Sequence, residues 1–177
     1  RDCEELGDPH RQRASNAALM LRNCGAEWIY KKTDSVLRGN VTPEIEAIVS
    51  HLGRSGALLV PANPSLGRTV VNGQYFVRGQ LIHKTEFAED PKHPRSSPNV
   101  LELLGKPSAL PISVRKPGEP LPERGIFIGE VASAEDLRNW AALRNEKWLM
   151  AGGAEFFGAL LKPGAPIPQS SSSHGKE

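Results

Sequence analysis

The sequence predicts an α/β fold, a mostly parallel sheet flanked by helices with a β-hairpin insertion. Strand-like and helix-like segments alternate from residue 28 to residue 60 and again beyond residue 110, the pattern of parallel strands joined by crossovers. Asn72-Gly73 stands between two β-rich runs, which marks a two-residue hairpin. Fifteen prolines and seventeen glycines in 177 residues favour many turns and short elements over a helical bundle.

The run RQRASNAALMLRNC, residues 11–24, is rich in helix formers and closes at Gly25, a residue suited to the left-handed position past a helix end. Trp28-Ile29-Tyr30-Lys31 reads as a strand that delivers its carboxyl end into a polar loop, residues 32–40. The next segment has Thr42 as N-cap, Pro43 at the first helical position and Glu44 and Glu46 near the positive helix end. Its Ile45, Ile48, Val49 and Leu52 share one face, and Gly53 ends it. Ala57-Leu58-Leu59-Val60 is a buried strand stopped by Pro61, so strand, helix and strand form a parallel pair.

In the insertion, Thr69-Val70-Val71 and Tyr75-Phe76-Val77 flank the hairpin turn, and residues 78–82 add a further turn and short strand. Strands are expected at residues 110–114 and 125–129, separated by a proline-rich surface loop at 116–122. Ser133 and Asp136 have capping-box spacing, so a helix starts near Ala134. Residues 148–151 run into Gly152-Gly153 and a short apolar helix ending near Leu161. Residues 1–162 are expected to form one domain, truncated at its start, and residues 163–177 a linker or disordered tail.

Composition removes several function classes. The net charge is +2 with Lys and Arg spread along the chain, which builds no basic stripe for nucleic acid. Cys3 and Cys24 have neither the number nor the spacing of a disulfide framework or zinc site, and a reducing cytoplasm fits them best. No apolar run approaches the roughly 20 residues a membrane span requires. The chain opens on Arg1 rather than Met, which points to a fragment of a longer protein.

The densest polar cluster is residues 31–40, KKTDSVLRGN, placed where a parallel strand ends and a helix begins. In open α/β sheets ligands bind at that edge. Lys32 and Arg38 can hold a carboxylate, Arg38 by a two-point fork, while Asp34 and Ser35 can take hydroxyl groups as acceptor and donor. A small polyhydroxy acid suits such a set. The competing reading makes Asp34, Ser35 and Asn40 turn and cap residues and leaves the cations solvated. A single glycine follows the charges, so the cluster is no Walker phosphate loop.

Residues 61–68, PANPSLGR, follow the next strand and should lie on the same sheet edge, where Arg68 can meet the ligand that Arg38 meets. Glu86, Asp90 and His93 can be written as a metal or acid/base set, but Pro91 and Pro94 argue for a rigid loop whose carboxylates terminate turns, and no metal is assigned. Gly152-Gly153 is read as a tight strand-to-helix turn rather than a phosphate contact.

Residues 30–40, YKKTDSVLRGN, resemble the K-x-D-S-x-L-R-G signature of the four-carbon acid sugar kinases. Residues 61–68 resemble that family's proline loop ending in Gly-Arg, residues 85–94 its T-E-F-A-x-D-P segment, and Ala151-Gly152-Gly153 its small-residue turn before a final helix. The resemblance runs from about Arg11 to Leu161 and implies the α/β N-terminal domain that binds the sugar acid. It carries site roles onto Lys32, Asp34, Ser35, Arg38, Gly39 and Arg68, with Asp34 the catalytic candidate.

The family phosphorylates acids such as threonate, erythronate and 3-oxo-tetronates with ATP, so ATP and Mg are expected for the full-length enzyme, bound mainly by a separate C-terminal domain. An opening strand with an Asp-Asp-x-Thr-Gly-Ala type motif is missing, and Glu130 stands where an Asp-Ala pair is often found. The expected partner is a small-molecule sugar acid, with self-association through exposed sheet edges also expected. The alternatives are a non-catalytic sugar-acid-binding domain and a truncated gene product without activity.

Overall fold

In the computed structural model, which describes residues 9–105 and 107–162, the first element is helix α1 (Pro9–Asn23). It closes as the sequence predicts, with Gly25 at φ 83° and the Ala26 N–H donating to the Leu21 carbonyl at 3.0 Å. Strand β1 (Tyr30–Lys32) begins two residues later than the aromatic run suggested. Trp28 and Ile29 pack against the core ahead of the ladder without joining it.

Helix α2 (Val41–Leu52) starts earlier than expected: its N-cap is Asn40, not Thr42, and Pro43 is the third helical residue. The first intrahelical bond runs from the Glu44 N–H to the Asn40 carbonyl at 3.1 Å. Pro43 therefore sits where a missing N–H goes unused, and the first turn accommodates it. Gly53 ends the helix in the left-handed conformation.

Strand β2 (Gly56–Val60) is buried throughout and leads to the antiparallel insertion, β3 (Arg68–Val71), β4 (Gln74–Val77) and β5 (Gln80–Leu81). Asn72 and Gly73 have φ 49° and 70°, the two left-handed positions of a hairpin turn whose twist matches its strands. Two short 3-10 turns, Ile82–Lys84 and Glu86–Glu89, then precede α3 (Val100–Leu104), a five-residue helix absent from the sequence reading. So few residues complete too little of a helical period for the pattern to show.

Strands β6 (Ile112–Arg115) and β7 (Gly125–Gly129), helix α4 (Ala134–Ala141), strand β8 (Trp148–Gly152) and helix α5 (Ala154–Leu161) complete the chain. The Ser133–Asp136 capping box is present in both directions. Five strands form one parallel sheet in the order β1-β8-β2-β7-β6. The chain passes from β1 to β2 in one direction across the sheet and from β7 to β8 in the other. Right-handed crossovers therefore place α2 on one face and α4 on the opposite one.

The hairpin sheet is tied to the parallel sheet by a reciprocal pair of 2.9 Å bonds between Val70 and Val131. The Glu130 carboxylate accepts the Gly73 N–H at 2.6 Å. Because Glu130 and Val131 follow β7 directly, these ties hold the hairpin over the carboxyl edge of the sheet. Glycine is required where β8 meets that edge: a Cβ on Gly152 (φ 150°) would stand 2.0 Å from the Val60 carbonyl oxygen. One core runs through the whole, from Ile45 on α2 through Leu58 on β2 to Trp140 on α4 and Tyr75 in the hairpin.

Candidate functional site

The chain leaves the adjacent parallel strands β1 and β8 into different elements, α2 and α5. Open α/β sheets form their ligand crevices where neighbouring strands send the chain to opposite faces. The Thr33 N–H donates to the Gly152 carbonyl at 2.8 Å, which carries the ladder one residue past β1. The chain then turns inward: the Leu37 N–H bonds the Asp34 carbonyl at 3.1 Å, and Val36 and Leu37 are 0% and 1% exposed.

Leu37 has φ 62°, an uncommon conformation for a leucine that costs about 1–2 kcal/mol. Burying its side chain offsets this by about 2 kcal/mol. Two apolar anchors thus leave Asp34, Ser35 and Arg38 on the rim, and Gly39 (φ 88°) turns the chain into α2.

On that rim the Arg38 guanidinium is turned back onto its own loop. Its Nε donates to Asp34 Oδ2 at 2.9 Å and its NH2 group to Asp34 Oδ1 at 3.1 Å. NH1 donates to Asp90 Oδ2 at 2.9 Å, and the Arg38 backbone N–H also reaches Asp34 Oδ2, at 3.1 Å. Burial pushes the Asp34 carboxyl up, but hydrogen bonds from Arg38 and Val36 and the charge of Arg38 outweigh it and hold it below the ordinary carboxylate range. Asp90 is lowered to about 2 by the backbone N–H of His93, by Arg38 and by the N–H of Lys92. The same two carboxylates, Asp34 foremost, raise Arg38.

Ser35, 5% exposed, is held from β3 of the hairpin sheet: Arg68 NH1 donates to its Oγ at 2.6 Å. The Arg68 guanidinium also lies 5.4 Å from the centre of the Phe87 ring, within cation–π range. Beneath it is Tyr75, fully buried, whose hydroxyl has no hydrogen-bond partner. Burial raises that hydroxyl's pKa and the Arg68 charge pulls it back. The proline loop is stapled to α5, since Asn63 Oδ1 accepts the Glu155 N–H and Glu155 Oε2 accepts both the N–H and the hydroxyl of Ser65.

Two cavities open beside this cluster. One of about 220 Å³ is lined by Lys32, Asp34, Arg38 and Gly39 with Lys31 and Glu44, which pair at 2.5 Å. The other, about 390 Å³, is lined by Arg68, Phe87, Arg78 and Glu86. A larger hollow of about 690 Å³ lies among residues 117–121 and 139–148, at the amino ends of β7 and β8. It is on the opposite sheet edge, away from Asp34, Arg38 and Arg68.

The structure therefore gathers every residue singled out for binding: Lys32, Asp34, Arg38 and Gly39 about one cavity, Ser35 and Arg68 in direct contact. Lys32 is exposed, its Nζ donating to the Thr33 carbonyl at 2.5 Å. Glu86, Asp90 and His93 are not gathered: Asp90 closes a turn by accepting the N–H of His93, and Glu86 lines the other cavity. Among the described residues no three His, Cys, Asp or Glu side chains are placed to hold a metal ion. Sequence reasoning missed Tyr75, which was legible as an inward position of a half-buried strand.

The model of the sugar-binding N-terminal domain family matches residues 8–160. The D-threonate kinase of Salmonella typhimurium is 38% identical over 87 residues, 49% of this chain and 21% of that one. The 3-oxo-tetronate kinase of Pectobacterium atrosepticum is 27% identical over 178 aligned residues, 89% of this chain and 42% of that one. The chain thus spans less than half the length of these relatives.

In fold it is similar to a Bordetella bronchiseptica domain solved as a domain-swapped dimer with bound citrate, with a TM-score of 0.70 at 24% identity over 85% of this chain and 40% of that one. A Haemophilus influenzae protein superposes with a TM-score of 0.72 at 20% identity over 86% of this chain and 42% of that one. A parallel sheet with a hairpin insertion, a charged loop at its carboxyl edge and a family match over nearly every described residue agree: the chain belongs to the sugar-binding N-terminal domains of the four-carbon acid sugar kinase family.

Proposed function

We propose that this domain binds a four-carbon sugar acid at the carboxyl edge of its sheet, as the acceptor-binding half of an ATP-dependent kinase. The observation that carries the reading is Arg68. Its guanidinium lines a cavity, is in no ion pair among the described residues, and gives one donor to Ser35. A carboxylate entering there finds an unspent cation with further N–H donors.

Ser35 accepts from Arg68, so its own hydroxyl proton is left to be donated to a ligand oxygen. Asp34, kept ionised by Arg38, has remaining lone pairs for a substrate hydroxyl. Arg38 retains N–H groups beyond the three committed to Asp34 and Asp90, while Lys32 and Gly39 border the same cavity. In the complete enzyme Asp34 orients the attacking hydroxyl and takes its proton.

The described residues offer neither a phosphate-cradling loop nor a metal-ligand set, so they do not fit ATP and Mg. The nucleotide and its metal are assigned to the remainder of the longer protein, in the cytoplasm. Calorimetric titration of this chain with threonate and erythronate tests the reading. Saturable binding that Arg68→Ala abolishes is the expected result. No heat with any four-carbon acid, or unaltered binding in Arg68→Ala, overturns it, as does metal-dependent phosphorylation by the chain alone.

A further inference from the structure

The hairpin sheet makes two tight turns of one geometry from different residues. Asn72-Gly73 joins β3 to β4 with φ 49° and 70°, and Arg78-Gly79 joins β4 to β5 with φ 51° and 79°. Asparagine tolerates the left-handed position because its short polar side chain can bond the nearby backbone, and a long arginine has no such compensation. Arg78 is therefore the strained residue of a turn that this same chain elsewhere builds with Asn. Strain kept beside a cavity calls for a reason outside the turn itself.

The turn holds Arg78 against the loop that ends in Arg68. Its backbone N–H donates to the Gly67 carbonyl at 2.7 Å, and a Cβ added to Gly67 would stand 3.1 Å from the Arg78 Cγ, so the arginine stem lies on the residue that precedes Arg68. Both arginines line the cavity of about 390 Å³, together with Ser65, Val77 and Phe87 and the exposed Glu86. Two guanidinium groups against one carboxylate leave that lining one positive charge in excess. Arg78 is exposed, and among the described residues no hydrogen bond or ion pair engages its guanidinium. Its whole fork is open to an anion.

We propose that Arg78 is an anion-binding residue of this cavity: its guanidinium and that of Arg68 together hold the acid group of the ligand, and the left-handed turn at residue 78 places it there. That the ligand is a four-carbon sugar acid rests on the reading above; the pairing of the two arginines on an oxyanion does not. Arg68 has one donor committed to Ser35 and its guanidinium over the Phe87 ring. A carboxylate or phosphate oxygen left over by Arg68 therefore finds its donors on Arg78.

The test compares Arg78→Asn, which suits the turn and removes the charge, with Arg78→Lys, which keeps the charge without the fork. Arg78→Asn should melt at or slightly above the wild-type temperature, and a melting point lowered by more than about 3 °C shows that the arginine is kept for packing and overturns the proposal. Calorimetry then compares erythronate with the uncharged tetritol. Arg78→Asn should weaken the acid by about tenfold or more and leave the polyol unchanged, with Arg78→Lys between it and wild type. Unaltered acid binding, or equal weakening of acid and polyol, overturns the proposal. Inorganic phosphate separates this proposal from the sugar-acid reading. As phosphate is added, the nitrogen-15 signals of the Arg68 and Arg78 Nε–H groups should shift and saturate with one midpoint, and Arg78→Asn should raise the Arg68 midpoint about fivefold or more. Should the wild-type chain bind no four-carbon acid, the sugar-acid reading fails while this titration still decides the role of Arg78. Absent shifts, separate midpoints or an Arg68 midpoint unmoved by Arg78→Asn overturn it.

Discussion

Arg38 holds Asp34 by a two-point fork, Nε to Oδ2 at 2.9 Å and NH2 to Oδ1 at 3.1 Å, across only four residues of one loop. The third contact, to Asp90 at 2.9 Å, spans 52 residues and joins that loop to the segment beyond the hairpin. The fork that the sequence offers to a substrate carboxylate is thus engaged within the protein, whereas Arg68 is in no ion pair among the described residues.

These pairings set a pH dependence. Asp34 and Asp90 titrate below the ordinary value of 3.8 in the folded chain, Asp90 at about 2. Folding therefore keeps them ionised where the unfolded chain has protonated them, a contribution present above the unfolded value and lost as pH falls through the folded one. Urea denaturation midpoints should fall between about pH 4 and pH 2, and the fall should be shallower in Asp90→Asn. Parallel curves for the two proteins would show that the pairing adds nothing to stability.

The loop variants should separate binding from chemistry. Arg38→Lys keeps a cation but loses the fork that fixes Asp34, so acid binding beside Asp34 should weaken by about 1–3 kcal/mol in calorimetry. Asp34→Asn keeps the shape and removes the charge, so in the complete kinase kcat should drop much more than KM rises. Wild-type values in both variants would reduce the loop to a turn.

Gly152→Ala should be severely destabilising, on the order of 3 kcal/mol or more, because the added Cβ would stand 2.0 Å from the Val60 carbonyl oxygen and the strand pair must part. A melting temperature within a degree or two of wild type would contradict that contact.

Glu46 is 7% exposed and accepts from Ser108 Oγ at 2.5 Å, the Ala109 N–H at 2.7 Å and Arg11 at 3.2 Å. Glu46→Ala removes the charged acceptor of the Ala109 N–H and the half-buried Ser108 hydroxyl, a loss of about 1–3 kcal/mol, and should detach the segment before β6 from α2. Amide hydrogen exchange at Ala109 reads this directly, and unchanged protection there would refute it.

What was legible in the residues is what short-range chemistry enforces. The Asn72-Gly73 turn, the Ser133–Asp136 box and the Gly53 stop each depend on partners within a few positions, and each stands where the sequence puts it. The loop at residues 32–40 and Arg68 were also legible, since strand ends and a family signature mark them. The Thr42 cap was misplaced because α2 begins on Asn40 with no side-chain cap, so no capping residue announces the boundary.

The rest came from contacts between distant segments. Arg68 meets Ser35 across 33 residues, Glu155 meets Ser65 across 90, and the burial of Arg95 depends on α3 closing over it. Periodicity and capping describe one element at a time. Which guanidinium is consumed by a neighbour and which is left for a ligand is settled only when the strands align and the hairpin folds over their ends, because charge pairing at a few ångströms depends on packing.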